Sequence, residues 1–168
     1  MNPYYTHQEY LTEELEKLDY KKPVTVLEFG TGDGSAAVLQ SFANRYPNLR
    51  VESFESDFDW FKDMFLKYSA DNYHFYHVES WDNLILNEKY DLAFVDAGPD
   101  FAARIKIIDL IKDKVKVIIL HDYDFYNKGI IEDIFSVSKG SFFEKYRRDF
   151  ILKGNHEILP PTLVMTRK

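Results

Sequence analysis

The sequence predicts an α/β fold: a doubly wound, mostly parallel sheet with a C-terminal antiparallel strand pair. Three observations predict it. Short runs rich in Val, Ile and aromatics recur along the chain, and stretches with helical spacing separate them. A glycine-rich turn, "EFGTGDGS", follows the first of these runs, where such a sheet bends into its first helix. One run, "VKVIIL" (115–120), is apolar enough to be a central strand covered on both faces.

Taken in order, the elements start with a capping-box pattern, Thr6-x-x-Glu9, followed by Leu11, Leu15 and Leu18 on one face. That spacing predicts a helix, which Pro23 ends. "VTVLEF" (24–29) reads as the first strand, and Ala36 to Tyr46 as the helix after the glycine turn. "LRVESFE" (49–55) is the second strand. Asp57 to Tyr68 is the next helix, with Phe58, Phe61, Phe65 and Tyr68 as its stripe. "YHFYHV" (73–78) and "YDLAFVD" (90–96) are further strands. Asp100 to Lys112 then places Phe101, Ile105, Ile108 and Ile111 on one helical face. Asp57 and Asp100 stand where N-caps belong, and Pro99 discourages an earlier start. After "VKVIIL", the segment "RRDFILKGNHEILPPTLVMTRK" holds two β-like runs separated by Gly154-Asn155 and Pro160-Pro161, a hairpin-like pair at one edge. Strands alternating with helices imply parallel crossovers. With no repeat or linker in sight, the expectation is one domain over 1–168, a helical segment at 1–22 and an α/β core at 23–168.

Composition narrows the function. The formal net charge is −7, which argues against non-specific binding to nucleic acid or to an anionic membrane. With no cysteine, disulfides and Cys-ligated metal sites are excluded. The first residues lack the basic and apolar regions of a signal peptide, and no apolar run reaches membrane-spanning length. A soluble, cytoplasmic protein is expected.

Three glycines at alternate positions, Gly30, Gly32 and Gly34, ask for a backbone that turns sharply and lets a ligand approach. Glu55 ends the second strand about 20 residues further on, where an acid accepts hydrogen bonds from ribose hydroxyls. A phosphate-binding loop would need Gly-Lys-[Ser/Thr], and no Lys occurs from Val24 to Phe61. The dinucleotide pattern G-x-G-x-x-G fails because Ser35 stands at its third glycine. Glu28, at the mouth of the loop, would repel a pyrophosphate and suits a cationic amine.

"VLEFGTGDG" resembles the first motif of the class I S-adenosylmethionine-dependent methyltransferases, an acid followed by G-x-G-x-G. "ESFESD" resembles their second motif, "YDLAFVDAG" the end of their fourth strand, and "VKVIILHD" the fifth strand with its acidic end. The resemblance spans roughly residues 24–125 and implies a Rossmann-like fold. It is nearest to small O-methyltransferases acting on catechols, sugars and macrolides, several of which use a divalent metal. It implies that Glu28, Gly30, Gly32 and Gly34 hold the methionine part of S-adenosyl-L-methionine, that Glu55 takes the ribose, and that Ser80 and Trp81 border the adenine.

Carboxylates after two adjacent strands, Asp96 and Asp122, converge on the loop's end of the sheet. They read either as ligands of one hard cation such as Mg²⁺, which would acidify a bound hydroxyl, or as N-caps. In the metal-dependent relatives a basic residue lies three positions after the first aspartate; here that position is Pro99. His121 is the substitute base, since histidine titrates near neutrality. Catalysis is therefore assigned to Asp96, His121 and Asp122, and the metal to Asp96 and Asp122. Tyr123, Phe125 and Tyr126 are aromatics at the rim, too common in this chain to name a site. The expected reaction is O-methylation of a sugar, glycan or other small molecule, in a site open to a bulky acceptor or completed by a second subunit of a homo-oligomer. The alternatives are a non-catalytic module of the same fold, binding cofactor or a partner, and a small nucleotide-binding oxidoreductase, disfavoured by Ser35 and by length.

Overall fold

The computed structural model describes residues 6–86, 89–98, 101–122, 145–155 and 160–168. Among them, five strands alternate with helices: β1 (Val24–Phe29), β2 (Leu49–Glu55), β3 (Tyr73–His77), β4 (Tyr90–Val95) and β5 (Val115–His121). The helices are α1 (His7–Glu16), α2 (Asp33–Arg45), α3 (Phe58–Tyr68) and α4 (Phe101–Ile111), with a 3₁₀ turn at Trp81–Asn83. Two further strands, β6 (Phe150–Asn155) and β7 (Thr162–Arg167), complete one seven-stranded sheet in the order β3-β2-β1-β4-β5-β7-β6. Strands β1 to β5 pair in parallel, and β7 pairs antiparallel with both β5 and β6. The mostly parallel sheet with its C-terminal antiparallel pair is as expected. In addition, β7 lies inside β6, so β6 forms the edge and shares the direction of β5.

Period-two alternation sends successive side chains to opposite faces, and both faces are covered. Val26, Val51, Leu92, Phe94 and Ile119 face Leu11, Leu15, Leu39 and Met64 of α1, α2 and α3. Leu27, Phe29, Ala93, Val95, Ile118 and Leu120 face Ile107, Ile108 and Ile111 of α4. The chain runs outward from β1 to β3 and then returns to β4 beside β1. Strand order therefore reverses between β1 and β4, which opens a crevice beyond their carboxyl ends.

Several local expectations shift. Thr6 makes no capping hydrogen bond; its hydroxyl donates to the Pro160 carbonyl at 2.6 Å and ties α1 to the start of β7. Helix α2 starts at Asp33 rather than Ala36, because Gly32 serves as N-cap, so the helix begins inside the glycine turn. On α3 the sheet-facing residues are Met64 and Tyr68 with Phe61 partly buried, while Phe58 and Phe65 stay exposed. Those two flank Phe61 in a stacked row, ring centroids 6.2 and 6.0 Å apart. Asp57 caps α3 as expected, accepting from the Trp60 amide at 2.9 Å. On α4 the buried stripe is Ala103, Ile107, Ile108 and Ile111, leaving Phe101 and Ile105 at its margins. Gly154 and Asn155 pair within β6 rather than separating the strands. Pro99, Asp100, Tyr123, Phe125 and Tyr126 lie outside the described residues. No helix among the described residues is long and apolar enough to cross a membrane.

Candidate active site

Three strand ends meet at the crevice. The Gly30 amide donates to the Phe54 carbonyl at 2.9 Å, and the Asp96 amide to the Phe29 carbonyl at 2.8 Å, so Gly30, Glu55 and Asp96 leave the sheet side by side. Gly30 has φ +80°, and a Cβ there would stand 2.5 Å from the Asp96 carbonyl oxygen. Glycine is required at this position twice over, by the left-handed backbone and by the contact with β4. Gly32 is extended, and a Cβ there would meet nothing nearer than the Ser35 hydroxyl at 4.0 Å. The space beside it is open, as a ligand needs.

Glu55 is almost fully buried and both its oxygens are engaged. One accepts from the Thr31 amide in the glycine loop at 3.0 Å; the other accepts from the Ser56 and Asp57 amides at 2.6 and 2.8 Å. The Thr31 carbonyl in turn accepts from the Trp60 indole at 2.6 Å. Glu28 points into the sheet face shared with α2 and α3 and has no exposed surface. The Ser53 and Tyr73 hydroxyls both donate to its Oε2, while Oε1 has no partner among the described residues. Burial pushes the Glu28 carboxyl up to about 7, against the opposing pull of the surrounding hydroxyls.

Past β3, the Ser80 hydroxyl accepts from the Asp82 amide at 3.3 Å and caps the 3₁₀ turn. Ser80 also lines an open cavity of about 270 Å³ between His77, Glu79, Leu84 and Ile85. Trp81 leans instead on the core, edge-on to Phe29, and its indole donates to the Gly98 carbonyl at 3.3 Å.

The acidic end of the site is organised by a residue that sequence reading did not single out. Arg104, on the first turn of α4, donates to Asp96 Oδ1 at 2.9 Å and to the carbonyls of Asp122 and Ala97 at 2.6 and 3.1 Å. Its guanidinium also lies 3.5 Å from the Asp122 carboxylate. Asp122 itself is left-handed, at φ 48°. The positive charge between the two aspartates is thus a side chain, and this donor set does not fit the divalent cation expected there. No cluster of three or more His, Asp or Glu suited to a metal occurs among the described residues. Burial pushes Asp96 up to about 6, with Arg104 holding it down and Asp122 and Glu55 adding to the rise.

His121 does not stand beside the loop as a base. It is buried against α1, its ring 4.4 Å from that of His7, with Nδ1 3.1 Å from the Thr162 hydroxyl. Burial, then the proximity of His7 and Arg104, drives its pKa down to about 3. It stays neutral at ordinary pH and accepts a proton poorly.

No family model and no curated protein sequence matches the chain. In three dimensions it is similar to precorrin-6y C5,15-methyltransferase of Geobacter metallireducens, with TM-score 0.62, 19% identity, and 96% of this chain and 87% of that one covered. It is similar to human methyltransferase-like protein 13 in complex with S-adenosylhomocysteine, with TM-score 0.62, 15% identity and coverage of 96% and 81%. The fold is that of the class I methyltransferases. A third likeness, to the S-adenosylhomocysteine-bound methyltransferase PaMTH1 of Podospora anserina, has TM-score 0.61 and 15% identity over 100% of this chain and 88% of that one.

Within this methyltransferase fold, the structure brings Gly30, Gly32, Glu55 and Asp96 to one crevice, with Glu28 directly beneath it. Ser80 lies at a neighbouring cavity, Trp81 stands partly exposed between Phe29 and the Gly98 carbonyl, and His121 is buried against α1. Three participants were missed. Arg104 had a signal, a lone arginine in an apolar helix. Tyr73 and Trp60 had none beyond being aromatic in an aromatic-rich chain.

Proposed function

We propose that the protein is an S-adenosylmethionine-dependent methyltransferase that methylates a hydroxyl of a sugar, glycan or other small molecule. The observation that carries this reading is the meeting of the glycine turn, Glu55 and Asp96 at the ends of three adjacent parallel strands. The residues fit the cofactor: the space at Gly32 is open, and the orphaned Glu28 Oε1 offers a buried acceptor for an ammonium group. Glu28 and the loop would hold the methionine end, and Glu55 the ribose hydroxyls. When bound, the cofactor supplies an electrophilic methyl on a sulfonium, open to in-line displacement.

The chain's own contribution is alignment and proton removal. Asp96, partly exposed and flanking Gly30, accepts the proton or hydrogen bond of the attacking hydroxyl. Arg104 holds that carboxylate and ties Ala97, past the end of β4, to Asp122, past the end of β5. No step runs through a metal ion.

A second reading, a module of the same fold that binds a partner without catalysis, has one observation in its favour. Both oxygens of Glu55 are already occupied by backbone amides, as they would be in a site that never receives a ribose. Calorimetric titration with S-adenosylhomocysteine and with NAD separates the readings. Micromolar binding of the first alone is the expected result; binding of NAD alone overturns the methyltransferase reading, and binding of neither favours the module.

A further inference from the structure

Four residues close a hydrogen-bonded circuit between the glycine loop and the start of α3. Thr31 donates its amide to Glu55 at 3.0 Å, and the other oxygen of Glu55 accepts the Asp57 amide at 2.8 Å. The Asp57 carboxylate accepts the Trp60 amide at 2.9 Å, and the Trp60 indole returns to the Thr31 carbonyl at 2.6 Å. We propose that this ring holds the glycine loop in its ligand-ready shape and that Trp60 is the positioning residue that closes it.

The reason lies in what the ring fixes. The amide of Thr31 belongs to the peptide plane shared with Gly30, and its carbonyl to the plane shared with Gly32. Glycine on both sides leaves each plane free to reorient, and ordering them on binding would cost affinity. Glu55 pins the first plane and Trp60 the second. The position of Trp60 supports a role beyond packing. Its side chain is 39% exposed, and α3 buries Met64 and Tyr68 instead. An indole left partly in water makes its only described hydrogen bond to a loop carbonyl. Because the ring passes through Glu55, it also couples the loop to the acid assigned to the ribose.

The inference rests on the cofactor reading, so the test is built to separate the two. S-adenosylhomocysteine affinity is measured by calorimetry for the wild type, Trp60→Phe, Asp57→Ala and the double variant, each checked by circular dichroism to be fully folded at the titration temperature, since losing the Asp57 cap lowers the melting point of two of them. Each single variant should bind about three- to tenfold more weakly, the size of one lost hydrogen bond. The double variant should bind no more weakly than the worse single one, because opening a ring at a second point costs nothing more. Wild-type binding with unchanged affinity in Trp60→Phe, or strictly additive losses, overturns the ring and leaves the cofactor reading intact. If the wild type does not bind S-adenosylhomocysteine, the cofactor reading falls. The ring is then judged from hydrogen exchange in the wild type alone: the Trp60 indole and Thr31 amide protons should be protected, and rapid exchange at both overturns it.

Discussion

Replacing Glu28 by Gln tests the electrostatics of the site without reference to any acceptor. Glu28 has no exposed surface, and its carboxyl lies at about 7 in the folded protein against an ordinary value of 4.5. The folded state therefore keeps a proton that the unfolded chain releases, and stability is lost as pH rises from the unfolded value through the folded one. The raised pKa costs about 3 kcal/mol of stability at about pH 8, where the folded carboxyl has ionised, and about 1 kcal/mol at about pH 5.5, where only the unfolded chain has released the proton, from the roughly 2.5-unit gap. Glutamine keeps the shape and an oxygen for the Ser53 and Tyr73 hydroxyls but cannot ionise. The stability of Glu28→Gln relative to wild type should thus improve by about 2 kcal/mol between those two pH values. Urea unfolding across this range measures the difference directly, and Asp96, whose pKa is also raised, cancels because both proteins carry it. A difference that does not change with pH would mean that Glu28 is already ionised in the folded state. The same variant should bind S-adenosylhomocysteine more weakly, since its amide would meet the ligand's ammonium with a donor.

Four further outcomes are expected. Glu55→Ala should weaken S-adenosylhomocysteine binding by about 1–3 kcal/mol in calorimetry, because the ribose acceptor and the loop clamp are removed together. Gly30→Ala should lower the melting temperature steeply or prevent folding, given its φ of +80° and the 2.5 Å approach to the Asp96 carbonyl, whereas Gly98→Ala, with nothing within 4 Å, should leave it nearly unchanged. Methyl transfer should persist in excess EDTA, since Arg104 supplies the positive charge between Asp96 and Asp122; loss of turnover restored by Mg²⁺ would show that the arginine moves aside for a cation. The rate should rise with pH through about 6 and then level off, following ionisation of Asp96, and His121→Ala should leave that profile in place.

The alternation of strands and helices was legible because each signal is local: two-residue periodicity in "VTVLEF", an N-cap at Asp57, glycines at a turn. The glycine turn was legible for the same reason, and Gly30 shows why, since its backbone angle and its contact with β4 both demand the residue that stands there. Burial on the helices was less so. The aromatic stripe of α3 was offset because any of three adjacent rows of Phe, Met and Tyr could face the sheet, and only the docking of α3 on β2 and β3 selects Met64 and Tyr68.

The chemistry of the acidic end depends on distances that sequence spacing does not carry. Asp96 and Asp122 were placed correctly at neighbouring strand ends, yet two carboxylates in a partly dry crevice need a compensating charge. Sequence reading supplied a metal ion; the structure supplies Arg104, eight positions beyond Asp96 on the helix that packs across the opposite face. His121 failed by the same logic. Its neighbour Asp122 turns left-handed toward the crevice, whereas His121, one residue earlier on β5, faces α1 and meets His7. One residue along a strand is the difference between the crevice and the core. That leaves Asp96 as the one described carboxylate at the crevice whose pKa is raised toward neutrality while its side chain remains within reach of solvent, which is why the proposed reaction assigns proton removal to it.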